Sequence, residues 1–151
     1  MPQSLVQLYT HIIFSTKHRQ PLLTTSALRN ELHRYLGGAC RNLGCPSIAV
    51  GGVEDHIHIL SRLSKTVAIA DLIRELKRDS SKWLKKKGNG LARFGWQDGY
   101  AAFSISPAHV DALVKYIQNQ EAHHRKTSFQ DELRRILRKY GLEFDERYLW
   151  D

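Results

Sequence analysis

The sequence lacks several features that would assign it to a common class of protein. It contains no apolar run near the roughly 18 residues that a membrane-spanning helix needs, and no basic start followed by an apolar block. Its two cysteines, Cys40 and Cys45, are too few and too close together for a disulfide framework. It also has no glycine-rich nucleotide-binding loop. We therefore expect a cytoplasmic protein without a membrane partner or a nucleotide energy source.

Positive charge exceeds negative charge, and the excess is localised. The chain has 23 Lys and Arg against 15 Asp and Glu, for a net charge of +8 and a pI of about 9.7. Residues 61–95 hold ten of the basic residues and three of the acidic ones, which is +7 in that segment alone. Such a segment neutralises the phosphates of a nucleic acid, or it is simply a solvated helix face. Charge alone leaves both interpretations open.

Hydrophobic periodicity predicts four strands and four helices. The predicted strands are residues 6–15, 47–53, 56–63 and 100–105, and the predicted helices are residues 26–43, 67–86, 107–124 and 128–140. This mixed order predicts an α+β fold, with an antiparallel sheet of about four strands covered by helices mainly on one face. The length of 151 residues predicts a single domain, residues 1–151.

Two histidines alternate on the third predicted strand, in Asp55-His56-Ile57-His58. Alternate side chains of a strand share a face, so both imidazoles point one way while Ile57 points into the core. Two neighbouring imidazoles on a rigid strand are convergent metal ligands. By itself, however, the His-x-His pattern more often marks half-buried histidines that bond to their neighbours.

The third predicted helix carries a tyrosine and a glutamine at spacing i, i+4. Tyr116 and Gln120 therefore lie on one helix face, and His123 follows one turn later. A phenol and an amide oxygen presented together supply a nucleophile and a metal ligand. A tyrosine in an amphipathic helix is more commonly a core residue.

Together these residues resemble the HUH superfamily, and in particular the single-tyrosine transposases of the insertion-sequence-200/605 family. Four segments carry the resemblance in the family's order: residues 11–19, the His56-Ile57-His58 strand, residues 94–104 and residues 116–124. The resemblance covers most of the chain. It implies the ferredoxin-like, or RRM-like, HUH fold for the predicted α+β domain.

The resemblance also implies a chemistry. Tyr116 would attack a phosphodiester of single-stranded DNA and form a 5′-phosphotyrosine, with a divalent Mg2+ or Mn2+ ion held by His56, His58 and Gln120. The implied partners are single-stranded DNA with subterminal hairpins and a second copy of the chain in a homodimer. In that dimer, the tyrosine helix of one subunit can complete the histidine pair of the other. The roles of Glu54, His123 and His124 stay open.

Basic residues on the polar face of the second predicted helix, and in the loop after the first strand, are expected to hold the DNA backbone. These candidate DNA-binding residues are Lys17, Arg19, Arg74, Lys77, Arg78, Lys82 and Lys85.

Four alternatives compete with this interpretation. Two alternatives lie within the superfamily. One is a rolling-circle initiator or relaxase, and the other is a domesticated repeat-associated tyrosine transposase with the same chemistry. Two lie outside it: a hairpin DNA-binding protein without catalysis, and a zinc protein that uses His56, His58 and a cysteine. The presence of both histidines, Tyr116 and Gln120 favours the transposase.

Overall fold

A four-stranded antiparallel sheet forms the centre of the protein, in a computed structural model that describes residues 2–88 and 90–151. The strands are β1 (Tyr9–Ser15), β2 (Ser47–Gly52), β3 (His56–Arg62) and β4 (Ala101–Ile105), in the spatial order β2-β3-β1-β4. Each predicted strand is present within a few residues of its expected bounds. The α+β class and the antiparallel sheet expected from the sequence are confirmed.

Five α-helices pack against this sheet. They are α1 (Ser26–Asn42), α2 (Ile69–Lys85), α3 (Val110–Gln118), α4 (Gln120–His124) and α5 (Phe129–Lys139). In the described part of the chain, none of them has the length and apolarity that crossing a membrane requires.

The predicted helix 107–124 is interrupted rather than continuous. A 3-10 turn, Pro107–His109, precedes α3, and Asn119 separates α3 from α4 with φ −101° and ψ 21°. Asn side chains compete for backbone hydrogen bonds, which makes this residue a suitable break point. The prediction of one continuous helix was wrong, because the backbone leaves the helical conformation at Asn119. Tyr116 and Gln120 remain close, since the Gln120 side-chain amide donates to the Tyr116 carbonyl at 3.3 Å.

Helices cover both faces of the sheet, not mainly one as the sequence suggested. On the first face, Ile12 and Phe14 of β1 and Ile57 and Ile59 of β3 form one core with α1 and α2. On the second face, separate apolar clusters join the sheet to α3 and α5. The reason is the strong amphipathic pattern of α5, whose apolar stripe needs a sheet surface of its own. Residues 56 and 58 belong to this second face.

Helix α3 lies directly against β2 at Gly51. A Cβ atom at this position would be 2.3 Å from the Ile117 carbonyl oxygen and 2.9 Å from Ile117 Cγ2. Ile117 follows Tyr116 in the chain, so the missing side chain at Gly51 sets how closely the tyrosine helix approaches the sheet.

We expect Gly51→Ala to lower the free energy of unfolding by about 1–3 kcal/mol, because the added methyl group overpacks this contact. In thermal unfolding this corresponds to a melting temperature lower by roughly 2–12 °C. The matched control is Gly38→Ala in α1, where a Cβ would meet nothing within 4 Å. It should be neutral or stabilising, since alanine favours a helix. A Gly51→Ala protein as stable as the parent would contradict the close packing of α3.

Candidate active site and metal centre

His56 and His58 lie side by side on β3, fully buried beneath the helices of the second face. Their ring centroids are 5.2 Å apart. Strand alternation places both imidazoles on one face and Ile57 on the opposite core, as the sequence predicts. One ring nitrogen of each histidine, Nε2, therefore faces the side chains of α4 and α5.

Helix α5 brings a buried carboxylate, Glu132, to the histidines. Glu132 Oε1 lies 3.0 Å from His58 Nε2, 3.4 Å from His56 Nε2 and 3.2 Å from His124 Nε2. One ligand atom from each of these four residues lies within 4.8 Å of all the others. The cluster of His56, His58, His124 and Glu132 is hereafter the His/Glu cluster.

Electrostatics within the His/Glu cluster compensate the buried charge. Burial raises the pKa of Glu132, but hydrogen bonds from His124, His56 and His58 outweigh it and hold that pKa well below its ordinary value. Burial also opposes protonation of His56, yet the Asp55 and Glu132 carboxylates raise its pKa to about 9. For His58 burial prevails and lowers the pKa to about 4. Hydrogen bonds from the imidazoles of His124, His56 and His58 therefore compensate the ionised Glu132.

Tyr116 and Gln120 both reach the His/Glu cluster. The Tyr116 hydroxyl donates a short hydrogen bond to Glu132 Oε2 and lies 3.5 Å from His123 Nε2. Gln120 Oε1 lies 3.3 Å from His56 Nε2 and 2.9 Å from His124 Nε2. Burial and the Glu132 charge raise the pKa of Tyr116, so the phenol is protonated at neutral pH. The structure thus brings together, within one chain, all four residues singled out from the sequence for catalysis and metal binding.

Two further side chains orient the histidines from outside the cluster. Asp55 Oδ1 lies 2.7 Å from His56 Nδ1, and His11 Nε2 on β1 lies 2.8 Å from His58 Nδ1. Burial and the neighbouring His58 lower the pKa of His11 to about 3. Each contact occupies the Nδ1 atom and leaves Nε2 facing Glu132. Partners of this kind typically fix the orientation of metal-bound histidines.

Glu132 and His124 were not assigned a role from the sequence, although both left a signal there. Glu132 falls on the apolar stripe of its helix, between Phe129 and Leu133, where an unpaired acid is unfavourable. His124 follows Gln120 at spacing i, i+4 and therefore shares its helix face. Neither signal indicates which strand residues Glu132 and His124 contact in the folded protein.

The donor atoms of the His/Glu cluster fit a divalent cation. Two ligand atoms that each lie about 2.0–2.2 Å from the same ion can be at most about 4.4 Å from each other. The four ligand atoms of the His/Glu cluster all lie within 4.8 Å of one another, so only a small adjustment would bring them to an ion. Imidazole nitrogens together with a carboxylate suit transition metals such as Mn2+ and Zn2+. The cysteine-based zinc site is contradicted, since Cys40 and Cys45 are buried in the core on the opposite face.

A groove of about 390 Å³ lies between α2 and residues 96–100. Its lining includes three of the seven predicted DNA-binding residues, Arg74, Lys77 and Arg78. Arg74 pairs with Asp71 at 2.9 Å, and Arg78 pairs with Glu75 and, at 3.3 Å, with Asp79. Exposed pairs of this kind contribute little to stability and can exchange for phosphates.

The other predicted phosphate contacts also lie at the surface. Lys17 lies 3.7 Å from Asp98, and the Arg19 guanidinium lies 5.5 Å from the centre of the Trp150 ring. Lys82 and Lys85 on α2 are exposed. Together with Arg74 and Arg78, these residues stay predictions for DNA binding.

Lys77 is the exception among the predicted phosphate contacts. Its amine donates to the carbonyl oxygens of Gln97, Asp98 and Gly99 at 2.8, 3.1 and 2.7 Å. Burial lowers the pKa of Lys77 to about 8. A lysine has three N–H donors, and all three are used. Lys77 therefore holds the loop that borders the groove, a role that conflicts with the predicted phosphate contact.

We expect Lys77→Met to lower the free energy of unfolding by about 1.5–3 kcal/mol, because three carbonyl oxygens lose a charged donor. Lys82→Met, an exposed change on the same helix, should stay within about 0.5 kcal/mol of the parent. Urea unfolding of the two variants measures this difference. If the two variants are equally stable, Lys77 does not stabilise the loop, and its predicted phosphate contact is no longer in conflict with the structure.

We expect the purified protein to bind one Mn2+ ion per chain, measured by loss of the free-ion signal in electron paramagnetic resonance. Glu132→Gln should weaken binding about tenfold or more, since it removes the carboxylate ligand. The control is Glu143→Gln, a change at an exposed residue. If both variants bind Mn2+ as tightly as the parent does, Glu132 is not a ligand.

Comparison with known proteins places the chain in a family. A family model described as "Transposase IS200 like" matches residues 4–120. A candidate transposase from Deinococcus radiodurans R1 has a similar fold, with a TM-score of 0.59 and 23% identity over 80% of this chain and 95% of that one. A REP-associated tyrosine transposase bound to a REP hairpin is also similar, with a TM-score of 0.59 and 16% identity over 82% of this chain and 73% of that one. No curated protein matches the chain. Because the family model spans most of the sequence, the chain belongs to the family of IS200-like transposases.

Proposed function

We propose that this transposase is a metal-dependent enzyme that cuts and rejoins single-stranded DNA, with Tyr116 as its nucleophile. The observation that carries the proposal is the hydrogen bond from the Tyr116 hydroxyl to Glu132. Through this bond a nucleophile reaches the same carboxylate that contacts three histidines. A protein that only bound DNA would have no need for a tyrosine at a metal centre.

In the proposed reaction, the Tyr116 oxygen forms a bond to the phosphorus of a DNA phosphodiester. The bond from phosphorus to the 3′ oxygen breaks, which leaves a 3′-hydroxyl and a 5′-phosphotyrosine. The ester conserves the energy of the broken bond, so rejoining is the same step in reverse and needs no nucleotide. The Tyr116 phenol loses one proton and the leaving 3′ oxygen gains one. Glu132, which accepts the hydrogen bond of the phenol, would carry that proton between them. His123 Nε2 lies 3.5 Å from the same hydroxyl.

The proposed metal ligands are His56, His58 and Gln120, with His124 and Glu132 as additions from the structure. A divalent cation held by these residues would supply Lewis-acid chemistry at the scissile phosphate and at the leaving oxygen. The resemblance favours Mg2+ or Mn2+. The imidazole-rich donor set favours Mn2+ of these two.

The proposed substrate is a DNA strand that carries a hairpin near its cleavage site. One protein of similar fold is bound to a REP hairpin. Arg74 and Arg78 line the groove along α2, which would hold the backbone of such a hairpin. A domesticated repeat-associated enzyme would use the same chemistry.

A homodimer and a cytoplasmic location remain predictions. The histidine pair and Tyr116 meet within the single chain that the structure describes. The assignment of residues 1–151 to a single domain also remains a prediction.

Covalent capture tests the proposed function. The protein is incubated with labelled single strands tiled across the DNA that flanks its gene, with Mn2+ or EDTA, and run on a denaturing gel. We expect a protein-linked DNA band that needs Mn2+, is lost in Tyr116→Phe and persists in Tyr148→Phe. Tyr148 is the matched control because it is 66% exposed.

Two outcomes would contradict the proposal. A retarded complex on a native gel without any covalent band, on every tiled strand, would favour a hairpin-binding protein that lacks catalysis. A band that persists in Tyr116→Phe would assign the nucleophile to another residue.

A further inference from the structure

A cleft distinct from the α2 groove opens onto Tyr116. It lies between α3 and α5 and has a volume of about 420 Å³. Tyr116 and His11 lie at its inner end, and Tyr116 does not line the α2 groove. Because the hydroxyl is partly buried, this cleft is a route by which a substrate can reach it.

The rim of this cleft carries two cationic side chains and a histidine. His109 lies on the side of α3, and Arg135 and Lys139 lie on the side of α5 at spacing i, i+4, which puts them on one helix face. All three are exposed, and the lining includes no acidic residue. The cleft is complementary to an anion.

An aromatic platform lies at the far end of the cleft. One face of the Tyr140 ring packs on Phe103, with ring centroids 5.0 Å apart and planes inclined by 28°. Tyr140 is nevertheless 47% exposed. Phe103 thus supports the ring from the sheet side and leaves area for another flat group. Nucleic-acid bases stack on aromatic side chains in this way.

The order of these groups along α5 matches a short piece of DNA strand. Glu132 marks the active end, Arg135 and Lys139 follow one and two turns later, and Tyr140 lies about 12 Å along the helix from Glu132. A cleft of about 420 Å³ has the size of a small-ligand site, which suits one unstacked nucleotide and not a duplex.

We propose that this cleft binds the unpaired nucleotide adjacent to the scissile phosphate, with its base on Tyr140 and its phosphate between Arg135 and Lys139. The inference rests on the proposed function, since it takes Tyr116 as the reacting group. It separates two binding surfaces: the α2 groove for the hairpin, and the cleft between α3 and α5 for the unpaired strand.

The first test measures binding of a fluorescein-labelled dT12 strand by anisotropy at several salt concentrations. Tyr140→Ala should weaken binding about tenfold, and Tyr140→Phe should restore it, because stacking needs only the ring. The double change Arg135→Gln with Lys139→Gln should reduce the slope of log affinity against log salt by about 1.4. These two residues are exposed, so this variant should fold even if Tyr140→Ala does not.

Matched controls are Arg138→Gln on the same helix, whose guanidinium lies over Phe144, and Tyr148→Ala. Both should bind dT12 as the parent does. A blunt DNA hairpin without an unpaired tail should bind equally to the parent and to every cleft variant. Unchanged dT12 affinity and salt slope in the cleft variants would overturn the inference.

Covalent capture with the same variants separates this inference from the proposed function. If the parent forms the Tyr116 adduct and the cleft variants form it at the same rate from the same strand concentration, the cleft assignment fails and the function stands. If no protein forms an adduct but the cleft variants lose dT12 binding, the cleft binds DNA and the function fails.

Discussion

The buried carboxylate of Glu132 is the constraint around which the second face of the sheet is arranged. An ionised carboxylate without partners in a protein interior costs several kcal/mol. Here imidazoles from β3 and α4 and the phenol from α3 all bond to it. The charge therefore ties three separate helices to the sheet at one point, and removing any one partner would take away one of the contacts that compensate it. The same polar contacts form a site in which a cation could replace protons.

Strand alternation divides stability and chemistry between the two faces of one sheet. Ile57 and Ile59 extend the apolar core with α1 and α2, while His56 and His58 project from the same strand toward α3–α5. The core supplies rigidity that the site needs, because ligand geometry must be held within fractions of an ångström. Close packing at Gly51 does the same for the helix that carries Tyr116.

Part of the site lies beyond the segment that defines the family. The family match ends at residue 120, yet His124 and Glu132 come later in the chain. Helix α5 contributes the central carboxylate and also the cationic side and aromatic end of the cleft next to Tyr116. The C-terminal helix is thus a component of the proposed active site and not an appendage to a finished domain.

The sequence by itself determined every strand, the shared face of His56 and His58, and the proximity of Tyr116 and Gln120. Each of these follows from a local period of two or about four residues, which the backbone imposes on neighbouring side chains. Only the tertiary structure placed Glu132 opposite His58, 74 positions earlier in the chain, and gave Lys77 to a loop instead of a phosphate. It also interrupted the tyrosine helix at Asn119 and covered the sheet on both faces. Local periodicity specifies which side of an element is buried, but which elements meet depends on long-range packing that no spacing along the chain records.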